Sequence, residues 1–165
     1  MYTLYAPMSV RPPPNFSWVI PDRLAGSGRP YSHALDAPKQ FGIHALVTLT
    51  ESLPGSPDDL TRIYGETNWI HIPIQDYTAP SPSDFEKLFG FIDRQFAIGH
   101  AVNIHCFAGI GRTGTALAAI CIREKGMTAK EAIEHIRRIR PGSIETSDQE
   151  QSLFRLEFRL LLKGI

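Results

Sequence analysis

Residues 101–115, Ala-Val-Asn-Ile-His-Cys-Phe-Ala-Gly-Ile-Gly-Arg-Thr-Gly-Thr, decide the fold. The first five are apolar or β-branched for the most part and hold no turn residue, so they read as a short buried strand, Ala101–His105. From Thr115 to Ile122 the chain is rich in Ala and Leu and reads as a buried helix. A strand that bends sharply into a helix leaves unpaired backbone N–H groups at the helix start. Those groups and the positive end of the helix dipole make an anion site suited to phosphate.

Two side chains add chemistry to the cradle. Cys106 lies at the mouth of the N–H ring, where a thiolate is favoured. Arg112 closes the loop with a planar fork able to grip two phosphate oxygens. The ring itself is formed by Phe107, Ala108, Gly109, Ile110, Gly111 and Arg112. Nucleophile, oxyanion cradle and guanidinium clamp are the parts needed to attack phosphorus and hold the developing charge. Thr113 is placed to hydrogen-bond the Cys106 sulfur, and His105 to fix the loop backbone rather than act as acid or base.

Outward from this stretch, His44–Thr50 reads as a second buried strand, followed by Glu51. Trp69–Ile72 reads as a third core strand, and Ser17–Ile20 with Arg23–Ala25 as an edge hairpin around Pro21-Asp22. Strands separated by helical or loop crossovers argue an α/β domain with a central, mostly parallel sheet of about five strands flanked by helices. Ligands of such sheets bind beyond the carboxyl ends of the strands. Cys106 is at one such end and Asp76 near another. A thiolate attacking a phosphate ester needs a proton for the leaving oxygen, and the loop 76–80, Asp-Tyr-Thr-Ala-Pro, offers Asp76 as that acid. Asp84 already caps a helix, and Asp58 and Asp59 fall in a polar stretch, Leu53–Leu60, read as loop.

His-Cys-x5-Arg-Thr resembles the signature of the cysteine-based protein tyrosine phosphatases. The wider chain resembles the small atypical dual-specificity members, through Pro13-Pro14-Asn15-Phe16-Ser17-Trp18, Arg23-Leu24-Ala25-Gly26, Leu46-Val47-Thr48-Leu49-Thr50-Glu51 and Arg140-Pro141-Gly142-Ser143-Ile144-Glu145-Thr146. The resemblance implies the cysteine phosphatase fold, a cysteinyl-phosphate intermediate, and Asp76 on the general-acid loop. It also implies that the segment after Arg140 positions the hydrolytic water. Some relatives carry glutamine where Glu145 falls, so Glu145, Gln149 or both fill that role.

A second motif overlaps the first. Gly109-Ile-Gly111-Arg-Thr-Gly114 satisfies the dinucleotide fingerprint. That fingerprint wants an acid at the end of a second strand about twenty residues on, and Glu134 at that distance sits in an amphipathic helical pattern. A phosphate loop of the Walker type is excluded, because no Lys precedes Thr113.

Lys plus Arg and Asp plus Glu each number 17 in the 165 residues, so no global field steers the chain to nucleic acid or to membrane. Two cysteines make no disulfide framework. From Arg112 to Cys121 alone a helix rises about 13 Å, too far for a bridge. The first residues show no signal-peptide pattern and no apolar run long enough to span a membrane. These readings give a monomeric cytoplasmic protein with no metal or other cofactor, taking a phosphorylated protein or peptide. Residues 1–14, with four prolines, form an extended arm, and 15–165 form the domain. The same chemistry also fits a phosphoinositide, an inositol phosphate, an RNA 5′-phosphate or a silent phosphopeptide binder. A sulfur transferase fits less well, because it gives Arg112-Thr113 no task. The apolar Phe107, Ala108 and Ile110 favour a substrate with a single phosphate.

Helices are expected over Tyr31–Phe41, from the Ser81 cap to Gly99, up to Gly126, from Thr128 to Pro141, and from a Ser147 cap to Lys163. Arg137, Arg138 and Arg140 read as a solvated face, and Arg29 as a solvated loop residue.

Overall fold

The computed structural model describes residues 11–164. The first ten residues of the expected arm lie outside them, and residues 11–13 have no regular structure. Five strands form one sheet: β1 (Ser17–Ile20), β2 (Leu24–Ser27), β3 (Ala45–Thr48), β4 (Trp69–His71) and β5 (Val102–His105). Their spatial order is β1-β2-β5-β3-β4. Only the β1–β2 hairpin is antiparallel. The strand that leads to Cys106 is the middle one, paired in parallel with β2 on one side and β3 on the other. His105 is thereby in register with Ser27 and with Thr48. β4 is an edge strand with half-buried residues, not the core strand expected.

Side-chain alternation along the strands divides the core. Leu24, Ala45, Val47, Val102 and Ile104 face a large cluster with α3 (Pro82–Ala97), α4 (Gly111–Lys125), α5 (Ala129–Ile139) and α6 (Ser147–Leu162). Leu46 points to the other face, where Leu60 and Tyr64 of α2 (Pro57–Tyr64) cover it. α4 is the central helix, buried without interruption from Gly111 to Ile122, so its start is fixed from all sides. It ends at Gly126, with φ +63°, a left-handed cap that glycine adopts freely.

Several local expectations change. The polar run before Leu60 is helix: Ser56 caps it, Pro57 opens it, and Asp58 and Asp59 fill its first turn. Tyr31–Phe41 holds only a 3₁₀ turn, Ser32–Ala34, and a single α-turn, α1 (Ala37–Gln40). The capping box of α6 is Thr146 with Gln149, one residue before the expected Ser147 start. Thr128–Glu131 forms its box as read, and the Ser81 cap expected of α3 proves to be a full box with Asp84.

Candidate active site

β5 delivers Cys106, 3% exposed, to the carboxyl edge of the sheet. From there to α4, each carbonyl of the loop has a donor on its outer side. The Cys106 carbonyl accepts from His105 Nδ1 (3.2 Å) and the Phe107 carbonyl from the Arg29 amide (2.9 Å). The Ala108 carbonyl accepts from Asn15 Nδ2 (3.3 Å). The Gly109 carbonyl accepts from Asn15 Nδ2 (3.1 Å) and Arg140 Nη2 (2.6 Å). The Ile110 carbonyl accepts from the amides of Gly114 (2.9 Å) and Ile144 (3.4 Å).

A trans peptide unit is planar, and its N–H points opposite to its C=O. Pinning the carbonyls outward therefore turns the amides of residues 107–111 inward, and every described peptide bond here is trans. Among the described residues no protein acceptor meets any amide from Phe107 to Thr113. The helix adds no side-chain cap at Ile110. The loop is thus a concave set of unpaired donors on a helix N-terminus, as the sequence implied. Gly109 is required in it. Its φ is +75°, and a Cβ there would collide with the backbone of Ser27 and Gly28.

His105 is fully buried. Burial outweighs the hydrogen bond to the Cys106 carbonyl and pushes its pKa down to about 4. The ring is therefore neutral in ordinary buffers. Because a carbonyl can only accept, Nδ1 carries the proton and Nε2 accepts from Thr48 Oγ1 at 2.8 Å. This is the backbone-fixing place expected of it.

Arg112 is 2% exposed. Its Nη1 donates to Glu51 Oε2 (2.9 Å) and to the Ile74 carbonyl (2.8 Å). Its Nη2 pairs with Asp76 Oδ1 at 3.0 Å. Nε is buried with no protein partner. The guanidinium is thus anchored through Nη1, while Nε is unpartnered and Nη2 is held by the Asp76 carboxylate, so its Nε–Nη2 edge can grip an oxyanion bidentately once Asp76 gives way. Glu51, absent from the expected site, is the anchor. Its own backbone amide, the Arg112 guanidinium and the Asp76 amide hold its carboxyl down at about 2. Asp76 is therefore tied twice, by its carboxylate to Arg112 and by its amide to Glu51 Oε1 (2.9 Å).

The loop 76–80 also leans on the start of α6. Gln149 Nε2 donates to the Thr78 carbonyl (3.2 Å), and Thr146 Oγ1 to the Tyr77 carbonyl (3.2 Å). Asp148 Oδ2 accepts from the Ala79 amide (3.2 Å). Gln149 is fully buried, and its Oε1 accepts from the amides of Glu145 (2.8 Å) and Thr146 (3.3 Å). Its carboxamide is consumed in joining two loops. The Glu145 carboxylate makes no hydrogen bond among the described residues. It lies against the Cα of Gly111, where an added Cβ would strike Glu145 Oε2. The two residues that sequence left undivided thus differ: Gln149 is a tie and Glu145 a free carboxylate at the loop.

Other expectations are corrected. Thr113 Oγ1 is buried and unpartnered, and its expected bond to the Cys106 sulfur is not formed. Arg140 is 2% exposed and holds the Gly109 and Gly26 carbonyls and Ser17 Oγ, rather than lying on a solvated face. Arg137 binds the Ser143 and Ile144 carbonyls and Glu150. Arg29 is spent on Ser52 and the Leu53 carbonyl. Both cysteines are free. Among the described residues no group of three or more His, Cys, Asp or Glu is placed to hold a metal ion.

Residues 13–153 match the family model described as the Swiss Army Knife protein, DSP-PTPase phosphatase domain. The chain belongs to the DSP-PTPase phosphatase family. It is 33% identical over 130 residues to the phosphatidylglycerophosphate phosphatase PTPMT2 of Arabidopsis thaliana, a match covering 76% of this chain and 57% of that protein. It is 29% identical over 160 residues to the dual specificity protein phosphatase CDC14C of Symphalangus syndactylus, covering 91% of this chain and 32% of that one. This chain thus spans about a third to somewhat over half of those relatives. Among solved structures, Tk-PTP in its active form superposes with a TM-score of 0.80 at 34% identity, over 88% of this chain and 98% of the other.

Proposed function

We propose that this DSP-PTPase domain hydrolyses phosphate monoesters on proteins, phosphotyrosine first and phosphoserine or phosphothreonine as well, through a cysteinyl-phosphate. One observation supports this most: the unpaired amides of 107–113 ring Cys106, with the unpartnered Nε of Arg112 beside them. The substrate dianion docks on those amides and on Arg112 Nε and Nη2. Taking Nη2 releases the Asp76 carboxylate from its ion pair, and the freed carboxylate takes up a proton from solvent to become the acid. Cys106 Sγ attacks phosphorus as the P–O bond to the leaving group breaks. Asp76 gives its proton to the departing oxygen. Water then attacks the cysteinyl-phosphate, with Asp76 now the base and Glu145 orienting the water. Sγ leaves as thiolate and inorganic phosphate departs. Backbone amides and Arg112 supply the positive charge, without a metal.

A monomer in the cytoplasm, a reducing compartment that keeps Cys106 as a thiol, belongs to this reading. So does the finer likeness to dual-specificity phosphatase 23, which the quoted motifs carry. A second reading is the same chemistry on a lipid phosphate, favoured by the 33% identity to a phosphatidylglycerophosphate phosphatase. The test uses chelator-treated protein with phosphotyrosyl and phosphoseryl peptides, phosphatidylglycerophosphate and phosphoinositides. The protein reading expects the peptides to have the highest kcat/KM; preference for a lipid by tenfold or more replaces it. Cys106→Ser should lower turnover about 10⁵-fold, the scale on which hydrolases lose their nucleophile, yet still bind vanadate. Residual turnover within tenfold of wild type would remove the covalent route.

A further inference from the structure

Of the donors that hold the phosphate loop from outside, one comes from a stretch with no other task. Asn15 precedes β1 and has φ +52°, a conformation that asparagine tolerates better than most residues. The preceding Pro14 carbonyl accepts from the Gly28 amide at 2.6 Å. The same turn, through the Arg29 amide, holds the Phe107 carbonyl. The segment 14–15 is therefore seated beside the loop before Asn15 reaches it. The Asn15 side-chain NH₂ carries two hydrogens and meets two adjacent carbonyls, those of Ala108 and Gly109. Arg140 shares the Gly109 carbonyl. The Ala108 carbonyl has no donor but Asn15 among the described residues.

This matters because Gly109 is the residue of the loop at which rotation costs least. The peptide units on either side of it carry the Gly109 and Ile110 amides. If the Ala108–Gly109 unit turned over, its carbonyl oxygen would face the bound anion and its N–H would be lost from the ring.

We infer that Asn15 is a positioning residue for catalysis: its carboxamide locks the Ala108–Gly109 and Gly109–Ile110 peptide units so that their amides face the phosphate, with Arg140 as the second jaw on Gly109. The assignment rests on the proposed reading of the site as an oxyanion cradle. Asn15 acts only through the loop and does not touch the substrate.

The side chain is exposed, so it can be changed with little loss of packing. Asn15→Asp keeps the shape and sets a carboxylate oxygen against two carbonyls; Asn15→Ala removes the clamp, with the small added cost of alanine in the left-handed region. On the full chain, vanadate Ki, kcat and KM for p-nitrophenyl phosphate, and the thermal midpoint are measured together. Asn15→Asp is expected to raise the vanadate Ki and lower kcat/KM by about 10- to 100-fold, below the cost of deleting an oxyanion donor outright. Asn15→Ala should do so by about 3- to 10-fold, and the midpoint should stay close to wild type. A lowered midpoint with unchanged vanadate Ki would make Asn15 a mere tether, and no change in either variant would remove the role as well. If Asn15→Asp fails to fold, Asn15→Ala decides. Wild type that neither binds vanadate nor turns over would instead defeat the underlying reading of the site.

Discussion

The loop 106–111 and the loop 76–80, to which the proposed function gives the nucleophile and the acid, are held in opposite ways. In the first, Cys106 is almost fully buried, and the carbonyls from 106 to 110 are gripped from β1's lead-in, the β2 turn, α4 and the segment around Arg140. In the second, Asp76 has a side chain 55% exposed, and Tyr77 beside it stands in the left-handed region at φ +60°. Of the bonds of the loop 76–80, those to Glu51, Thr146 and Asp148 are exposed and open to replacement by water, while Arg112 and Gln149 reach the loop from buried side chains. The difference fits the proposed chemistry. Stabilising an oxyanion works best with dipoles already in place. Delivering a proton to leaving groups of varied shape needs a carboxyl that can change partners.

That contrast can be broken. The largest effect should come from Asp76→Asn. Turnover of esters with poor leaving groups should fall about 10²–10⁴-fold, the usual share of general acid catalysis. The loss should shrink with p-nitrophenyl phosphate, whose leaving group needs less help, and an equal loss across leaving groups would take the acid role away. Vanadate affinity should hold or improve, since the variant no longer sets a carboxylate on Arg112.

The next effect lies on the rigid side. His105 has its folded pKa lowered to about 4 against an ordinary value of 6.5. Between those values the unfolded chain binds the extra proton. Stability from the neutral buried ring is therefore complete above pH 6.5 and drains as pH falls to about 4, by about 3 kcal/mol in all. Urea unfolding between pH 7 and 4.5 should show this slope, and His105→Asn should flatten it. An unchanged slope in the variant would mean that another group titrates there.

The smallest effect should separate Gln149 from Glu145. Gln149→Ala cuts the tie to the acid loop and should slow poor leaving groups about tenfold while sparing the vanadate Ki. Glu145→Gln leaves that tie intact and should slow hydrolysis of the intermediate about tenfold, seen as a larger phosphate burst. If both variants fail at the same step, the division between tie and free carboxylate is wrong.

Much of this was legible in residue order. Strand, cysteine, glycine turn, arginine and helix lie within fifteen contiguous residues, and an N-terminal anion site is built from neighbours. The helix cap at Ser81 and the capping box at Thr128 were legible for the same reason. α2 was missed although Ser56-Pro57-Asp58-Asp59 repeats the signals of Ser81-Pro82-Ser83-Asp84. The proline and glycine before it read as loop, and only Leu46 on the far face of the sheet explains why the helix is there.

What the sequence by itself determined is therefore the local arrangement of Cys106, the ring of amides and Arg112, because bond geometry and short-range spacing fix it, while Asp76 was legible only from its place after a strand and from the resemblance. The tertiary structure alone decided what holds that set: Glu51 on Arg112, Asn15 and Arg140 on Gly109, and Gln149 between two loops. Those partners lie 61, 94, 31 and 71 residues away along the chain. A lone Glu, Asn, Arg or Gln carries no mark of a distant partner until the sheet and α4 bring the two together and burial makes each hydrogen bond worth keeping.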